Sequence, residues 1–199
     1  MMTATILLIR HAAHAHVGHT LTGRIEGVPL AAEGEAQALA LGSVLASEPL
    51  TAVQASPSLR TRQTADAIAA SHGLQVEIAE PLTEVDFGEW EGRSFTQLED
   101  DPRWHEWNTS RATAAAPGGE SMAAVQQRAW DHIRAVAQHF AGDMVAIITH
   151  CDVIRAVIAR VLSLSLDHIL RFDIPPASVS RIVVGGWGAQ VLSLNERAA

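Results

Sequence analysis

The chain has 199 residues, 48% of them hydrophobic and 18% charged, enough apolar material for one buried core and too little charge for a disordered or solvated linker. Its formal charge of −8 argues against a nucleic-acid backbone or an anionic membrane surface as the main partner. All 14 basic residues are arginine, which removes a P-loop lysine, a Schiff-base lysine and a pyridoxal phosphate site, and the one cysteine, Cys151, can form neither an internal disulfide nor a CxxC metal or redox pair.

The chain opens with a short apolar run, Ala4 to Ile9, that reads as a buried strand and stops at Arg10 and His11. This run is too short for a signal-peptide core and nothing later approaches a membrane span, so a cytoplasmic location is expected. Residues 11–31 are glycine-punctuated loop. A helix is predicted from Glu33 to Ser47, with Ala38, Leu41 and Leu45 on one face, then a strand from Thr51 to Ala55. Ser56-Pro57-Ser58 leads into a helix from Leu59 to Ser71 that Gly73 ends, and Val76 to Ala79 is a third strand. The stretch 81–119 reads as irregular, tryptophan-rich and broken by Pro102, Pro117 and Gly118-Gly119, a lid or substrate-binding insertion.

Ser121 opens an amphipathic helix that buries Met122, Val125, Ala129, Ile133, Val136 and Phe140. Met144 to Thr149 is an apolar strand ending at His150, and the next helix carries an apolar stripe from Val153 to Leu162. Two closing strands, Val179 to Val184 and Ala189 to Leu194, flank a glycine turn. This alternation predicts one α/β domain over 1–199, a three-layer sandwich with a mostly parallel sheet and helices on both faces.

Ligands in such sheets bind beyond the carboxyl ends of the strands. Three of those ends carry Arg10-His11, the Ser56–Arg60 segment and His150, so two guanidinium and two imidazole groups face one place. Arginine forks match phosphate oxygens, and cations around a histidine favour its neutral, nucleophilic form. The constellation suits a phosphoryl group.

At these residues the chain resembles the histidine phosphatase superfamily, the phosphoglycerate mutase-like proteins, over almost its whole length. Leu8-Ile9-Arg10-His11-Ala12 is similar to the nucleophile motif, Ser56 to Ala65 to the segment with the second arginine, and Leu82 to Gly92 to the segment with the acid–base glutamate. Pro117 to Ser121 resembles the turn before the long helix, and Thr149 to Arg155 the segment with the second histidine. The resemblance implies that His11 becomes a phosphohistidine, that Arg10, Arg60 and His150 hold phosphate oxygens, and that Glu84 protonates the leaving alkoxide and then activates water. Gly23-Arg24, followed by Gly27, resembles the family's next segment, which implies that these residues touch substrate. Asp86 competes with Glu84 for the acid–base role. Ala12 and Cys151 stand where glycines are usual, His14 where threonine or serine is common, and Val17 where many relatives carry asparagine.

The resemblance implies a metal-independent phosphomonoester hydrolase acting on a small phosphorylated metabolite, with no cofactor, nucleic acid or membrane partner; oligomeric state is not encoded. Phosphoglycerate mutase ranks below it, because a mutase needs basic residues for a substrate carboxylate. A non-catalytic phospho-ligand binder is the third reading. His11, His14, His16 and His19 could also suggest a metal site, but no third segment completes one, and the last three read as loop residues at the pocket rim. Cys151 lacks the arginine six positions on that a cysteine-dependent phosphatase loop needs, since that position is Val157. The five tryptophans read as core or lid packing.

Overall fold

The N-terminal apolar run forms a central strand, β1 (Thr3–Arg10), because its residues are apolar toward both faces and both faces are covered by helices. The computed structural model describes residues 2–197. In chain order follow α1 (Ala32–Leu45), β2 (Leu50–Ala55), α2 (Leu59–His72) and β3 (Val76–Ile78). Next come α3 (Phe95–Glu99), α4 (Pro102–Thr109), α5 (Met122–His139), β4 (Met144–Thr149), α6 (Cys151–Val161), β5 (Ser178–Gly185) and β6 (Gly188–Arg197).

The sheet order is β3-β2-β4-β1-β5-β6. β3, β2, β4 and β1 run parallel, while β5 and β6 are antiparallel additions at one side. One face packs Leu7, Ile9 and Ile148 against Leu41 and Leu45 of α1 and Ile68 of α2. The other packs Ile6, Leu8 and Ile147 against Val125 and Ile133 of α5 and Ile154 and Ile158 of α6. This is the α/β sandwich expected. Among the described residues no helix is long and apolar enough to cross a membrane.

Register levels the strand ends. Arg10 pairs with Thr149 and Ala55 with Ile148, and the next residues continue the ladder: His11 N–H donates to Thr149 O at 3.0 Å and Ser56 N–H to Ile148 O at 3.0 Å. His11, Ser56 and His150 therefore leave the sheet side by side. His150 is also the N-cap position of α6, so no loop separates it from either β4 or the helix.

The structure corrects three readings. Residues 81–119 are not irregular throughout, for Ser94 and Gln97 form a capping box for α3, and Asp101 and Pro102 start α4. Leu162 closes α6 with its side chain out, 52% exposed, since the helix ends before another turn faces the sheet. Trp187 is not core: it sits on the β5–β6 turn, 53% exposed, whereas Trp90 and Trp107 are wholly buried.

Candidate active site

Arg60 enters the centre of the site from the first turn of α2 and is 2% exposed. Its Nη2 donates to Gly23 O at 2.7 Å and lies 3.3 Å from His150 Nδ1. Its Nε and Nη1 are buried without a partner, as is Arg10 Nε, while Arg10 Nη1 donates to Ile174 O at 2.5 Å. Buried guanidinium N–H groups left unbonded are costly, and an oxyanion seated between the two side chains would relieve that cost.

His11 is 3% exposed. Its Nδ1 lies 2.8 Å from Ala12 O, and a carbonyl only accepts, so Nδ1 carries the proton and Nε2 presents a lone pair. Burial holds the imidazole well below its usual pKa, and the Arg60 and Arg10 charges push it further. It is therefore neutral across the ordinary pH range. The loop beneath is fixed by Ala12 N–H donating to Thr64 Oγ1 at 3.0 Å, with Thr64 Oγ1 donating to Arg60 O at 2.8 Å. Ala12 is itself fully buried there, so its methyl group is accommodated.

His150 is fully buried with its ring centroid 5.3 Å from that of His11. Ser56 Oγ holds its Nε2 at 2.8 Å, and burial followed by the Arg60 charge lowers its pKa. Arg60 Nη2 can only donate, so Nδ1 accepts from it and Nε2 carries the proton, donating to Ser56 Oγ. Glu84 Oε2 lies 4.0 Å from His150 Nδ1, and its Oε1 accepts from Val85 N–H at 3.0 Å. Burial, then the Asp152 charge, raises the Glu84 carboxyl to about 7. Asp86, by contrast, bonds Gly88 N–H and faces Arg24.

The residues named from the sequence mostly converge. His11, Arg10, Arg60, Glu84 and Gly23 line one cavity of about 330 Å³, while His150 is wholly buried behind Arg60 and reaches the site only through it. Arg24 does not line it: its Nε donates to Glu84 O at 2.9 Å and its Nη2 to Glu120 Oε2 at 2.7 Å, so the guanidinium braces the Glu84 backbone from behind. Arg128 Nη2 adds a second bond to the same carbonyl at 3.1 Å. Ser56, Thr64, Arg128, Arg111 and Asp152 were given no role in sequence. The serine and aspartate lie inside motifs that marked the region, but nothing local marks Arg111, which meets Asp152 at 2.9 Å across 41 residues.

The rival chemistries find less support. Cys151 lies at the start of α6, where burial pushes its thiol up to about 12, so it stays protonated. His14 lines the cavity, its Nδ1 accepting from His16 N–H at 3.2 Å and its pKa brought down to about 4 by burial, but His16 and His19 are exposed. Among the described residues no three His, Cys, Asp or Glu side chains cluster as metal ligands. A larger groove of about 720 Å³, between α5 and the β5–β6 turn, lacks titratable groups other than Arg134.

The profile of the histidine phosphatase superfamily (branch 1) matches residues 6–197. An acid phosphatase of Mycobacterium tuberculosis is 34% identical over 179 residues, covering 89% of this chain and 79% of that protein. Phosphoserine phosphatase 1 of Hydrogenobacter thermophilus is 29% identical over 198 residues, 96% and 91% of the two chains. The solved structure of Bacillus stearothermophilus YhfR superposes with a TM-score of 0.89 at 27% identity, covering 96% of each chain.

Proposed function

The chain belongs to the histidine phosphatase superfamily (branch 1), and we propose that it is a phosphomonoester hydrolase working through a phosphohistidine on His11, with no metal in the reaction. The observation that carries this reading is that Arg60 and Arg10, each with buried N–H groups left unpartnered, line one cavity with a neutral His11 whose proton sits on Nδ1.

In the first step His11 Nε2 forms a bond to phosphorus as the ester P–O bond breaks. Glu84, protonated below about pH 7, delivers its proton to the departing alkoxide, which leaves as the alcohol. Arg10 and Arg60 hold the equatorial oxygens, where charge accumulates in the transition state, and His150 steadies Arg60 through Nδ1. Glu84, now a carboxylate, takes a proton from water as the water oxygen attacks phosphorus. The P–N bond breaks, inorganic phosphate forms, and Glu84 is again protonated. Residues 81–119 form the wall over the leaving group, and a small phosphorylated metabolite is the substrate this enclosure suits.

The relatives named as phosphatases support hydrolysis as the outcome. A mutase must also hold a substrate carboxylate, and the other arginines that line the cavity, Arg111 and Arg155, are each already paired with carboxylates. A mere binder would have no use for a carboxyl raised to about 7 beside the anion site. Quenching a reaction with a ³²P-labelled ester in alkali should trap acid-labile label on the wild-type chain and none on His11→Ala. Equal labelling of the two proteins would remove His11 as nucleophile.

A further inference from the structure

Besides the anion-binding side chains, the cavity is lined by two groups of residues of different character. Phe95 of α3 and Trp104 of α4 form one, both half-buried, with ring centroids 6.3 Å apart. Their placement is fixed: Trp104 meets the wholly buried Trp90 edge to face at 5.3 Å.

The other wall is polar yet electrically closed. Arg155 gives Nη1 to Asp152 at 3.1 Å, Nη2 to Asp173 at 2.9 Å and Nε to Phe172 O at 3.3 Å. Arg111 gives Nη1 to Asp152 at 2.9 Å and Nη2 to Asn108 at 2.8 Å, with only its Nε left buried and unpartnered. Two arginines face two aspartates, so the wall has no surplus charge. A second anionic group that drew Arg111 or Arg155 off Asp152 would leave that buried carboxylate short of a partner, which is expensive. The aromatic wall asks for the opposite, a flat apolar group that covers its ring faces.

We infer that the alcohol half of the substrate is uncharged and carries an apolar, ring-sized group that packs on Phe95 and Trp104. This rests on the hydrolase reading above and adds the class of ester to it. Carboxylated phosphoesters, whether phosphoglycerates or phosphoamino acids, are poor substrates by the same argument.

Benzyl phosphate, ethyl phosphate and 3-phosphoglycerate are esters of unactivated alkyl alcohols, so their kcat/KM values report the wall more than the leaving group. Benzyl phosphate should exceed each of the others roughly tenfold or more. The benzyl-to-ethyl ratio should fall about threefold or more in Phe95→Ala and again in Trp104→Leu. Calorimetric binding of benzylphosphonate against ethylphosphonate, neither of which can be hydrolysed, measures the same preference without turnover and serves if Trp104→Leu folds poorly. Hydrolysis with equal benzyl and ethyl values, or with 3-phosphoglycerate preferred, overturns the assignment and leaves the hydrolase reading standing. Absence of hydrolysis with tighter benzylphosphonate binding does the reverse, removing the hydrolase reading and keeping the apolar subsite.

Discussion

Glu84 must be an acid first and a base afterwards, and its burial arranges this at a cost to the fold. A carboxyl at about 7 against an ordinary 4.5 binds its proton more tightly in the folded chain than in the unfolded one. Its contribution is therefore intact below about pH 4.5 and is lost as pH rises toward 7. Above that range, ionised Glu84 destabilises the chain by on the order of 3 kcal/mol. Glu84→Gln keeps the shape and discards the charge. It should match the wild type in denaturant midpoint near pH 4, exceed it near pH 8, and hydrolyse alkyl phosphates roughly a hundredfold more slowly or worse. A midpoint difference that does not change with pH would mean that Glu84 titrates normally. Wild-type turnover of the same esters should decline as pH rises through about 7, because the acid is then lost while His11 has long been neutral. Identity was legible at this scale and orientation was not. Arg24 lies in a segment that resembles one touching substrate, yet three carboxylate and carbonyl groups from distant segments capture its side chain.

Among the elements, the strands were readable because an apolar run bounded by polar residues has few alternatives, and α5 because its apolar positions repeat at helical spacing over 18 residues. The stretch 81–119 hid its helices. α3 and α4 have five and eight residues, too few for a period to emerge, and only their caps at Ser94 and Asp101 announce them. What folds this stretch back on itself is a close backbone approach between its two ends. Gly88, at φ +51°, and Gly119 sit where an added methyl group would overlap the carbonyl oxygens of Pro117 and Asp86 respectively. Glu120 then ties the two strands of chain, its N–H donating to Asp86 O at 2.8 Å and its carboxylate accepting from Asp86 N–H at 3.1 Å. Gly119→Ala should therefore cost about 1–3 kcal/mol in chemical denaturation, since backbone rather than a flexible side chain must yield. It should also lower kcat on alkyl esters, because Glu84 lies two residues from Asp86. Full stability and full kcat would show that the two segments separate freely.

Over the whole molecule, three stretches 45 and more residues apart had to meet, and their meeting was legible only as a pattern of strand ends. The levelling of Arg10 with Thr149 and of Ala55 with Ile148 comes from ladder register, which no single strand encodes. The result is a cationic pocket inside a chain of net charge −8. That net charge repels anions only over a Debye length, about 8 Å in physiological salt, so the pocket's own N–H groups decide binding. An anion seated between Arg60 and Arg10 binds the folded chain alone, because unfolding scatters their unpartnered N–H groups. Inorganic phosphate at about a hundred times its Kd should then add roughly 2.7 kcal/mol. For a chain of this length that is a rise in Tm of roughly 5–10 °C. Sodium chloride at the same ionic strength should give little of it, since screening relieves the general repulsion without filling the site. Arg60→Ala should lose most of the phosphate-specific rise even where it folds normally, because two of the three waiting donors go with it. A phosphate rise that chloride reproduces, or that survives Arg60→Ala, would place the anion elsewhere and leave those buried N–H groups without a purpose in catalysis.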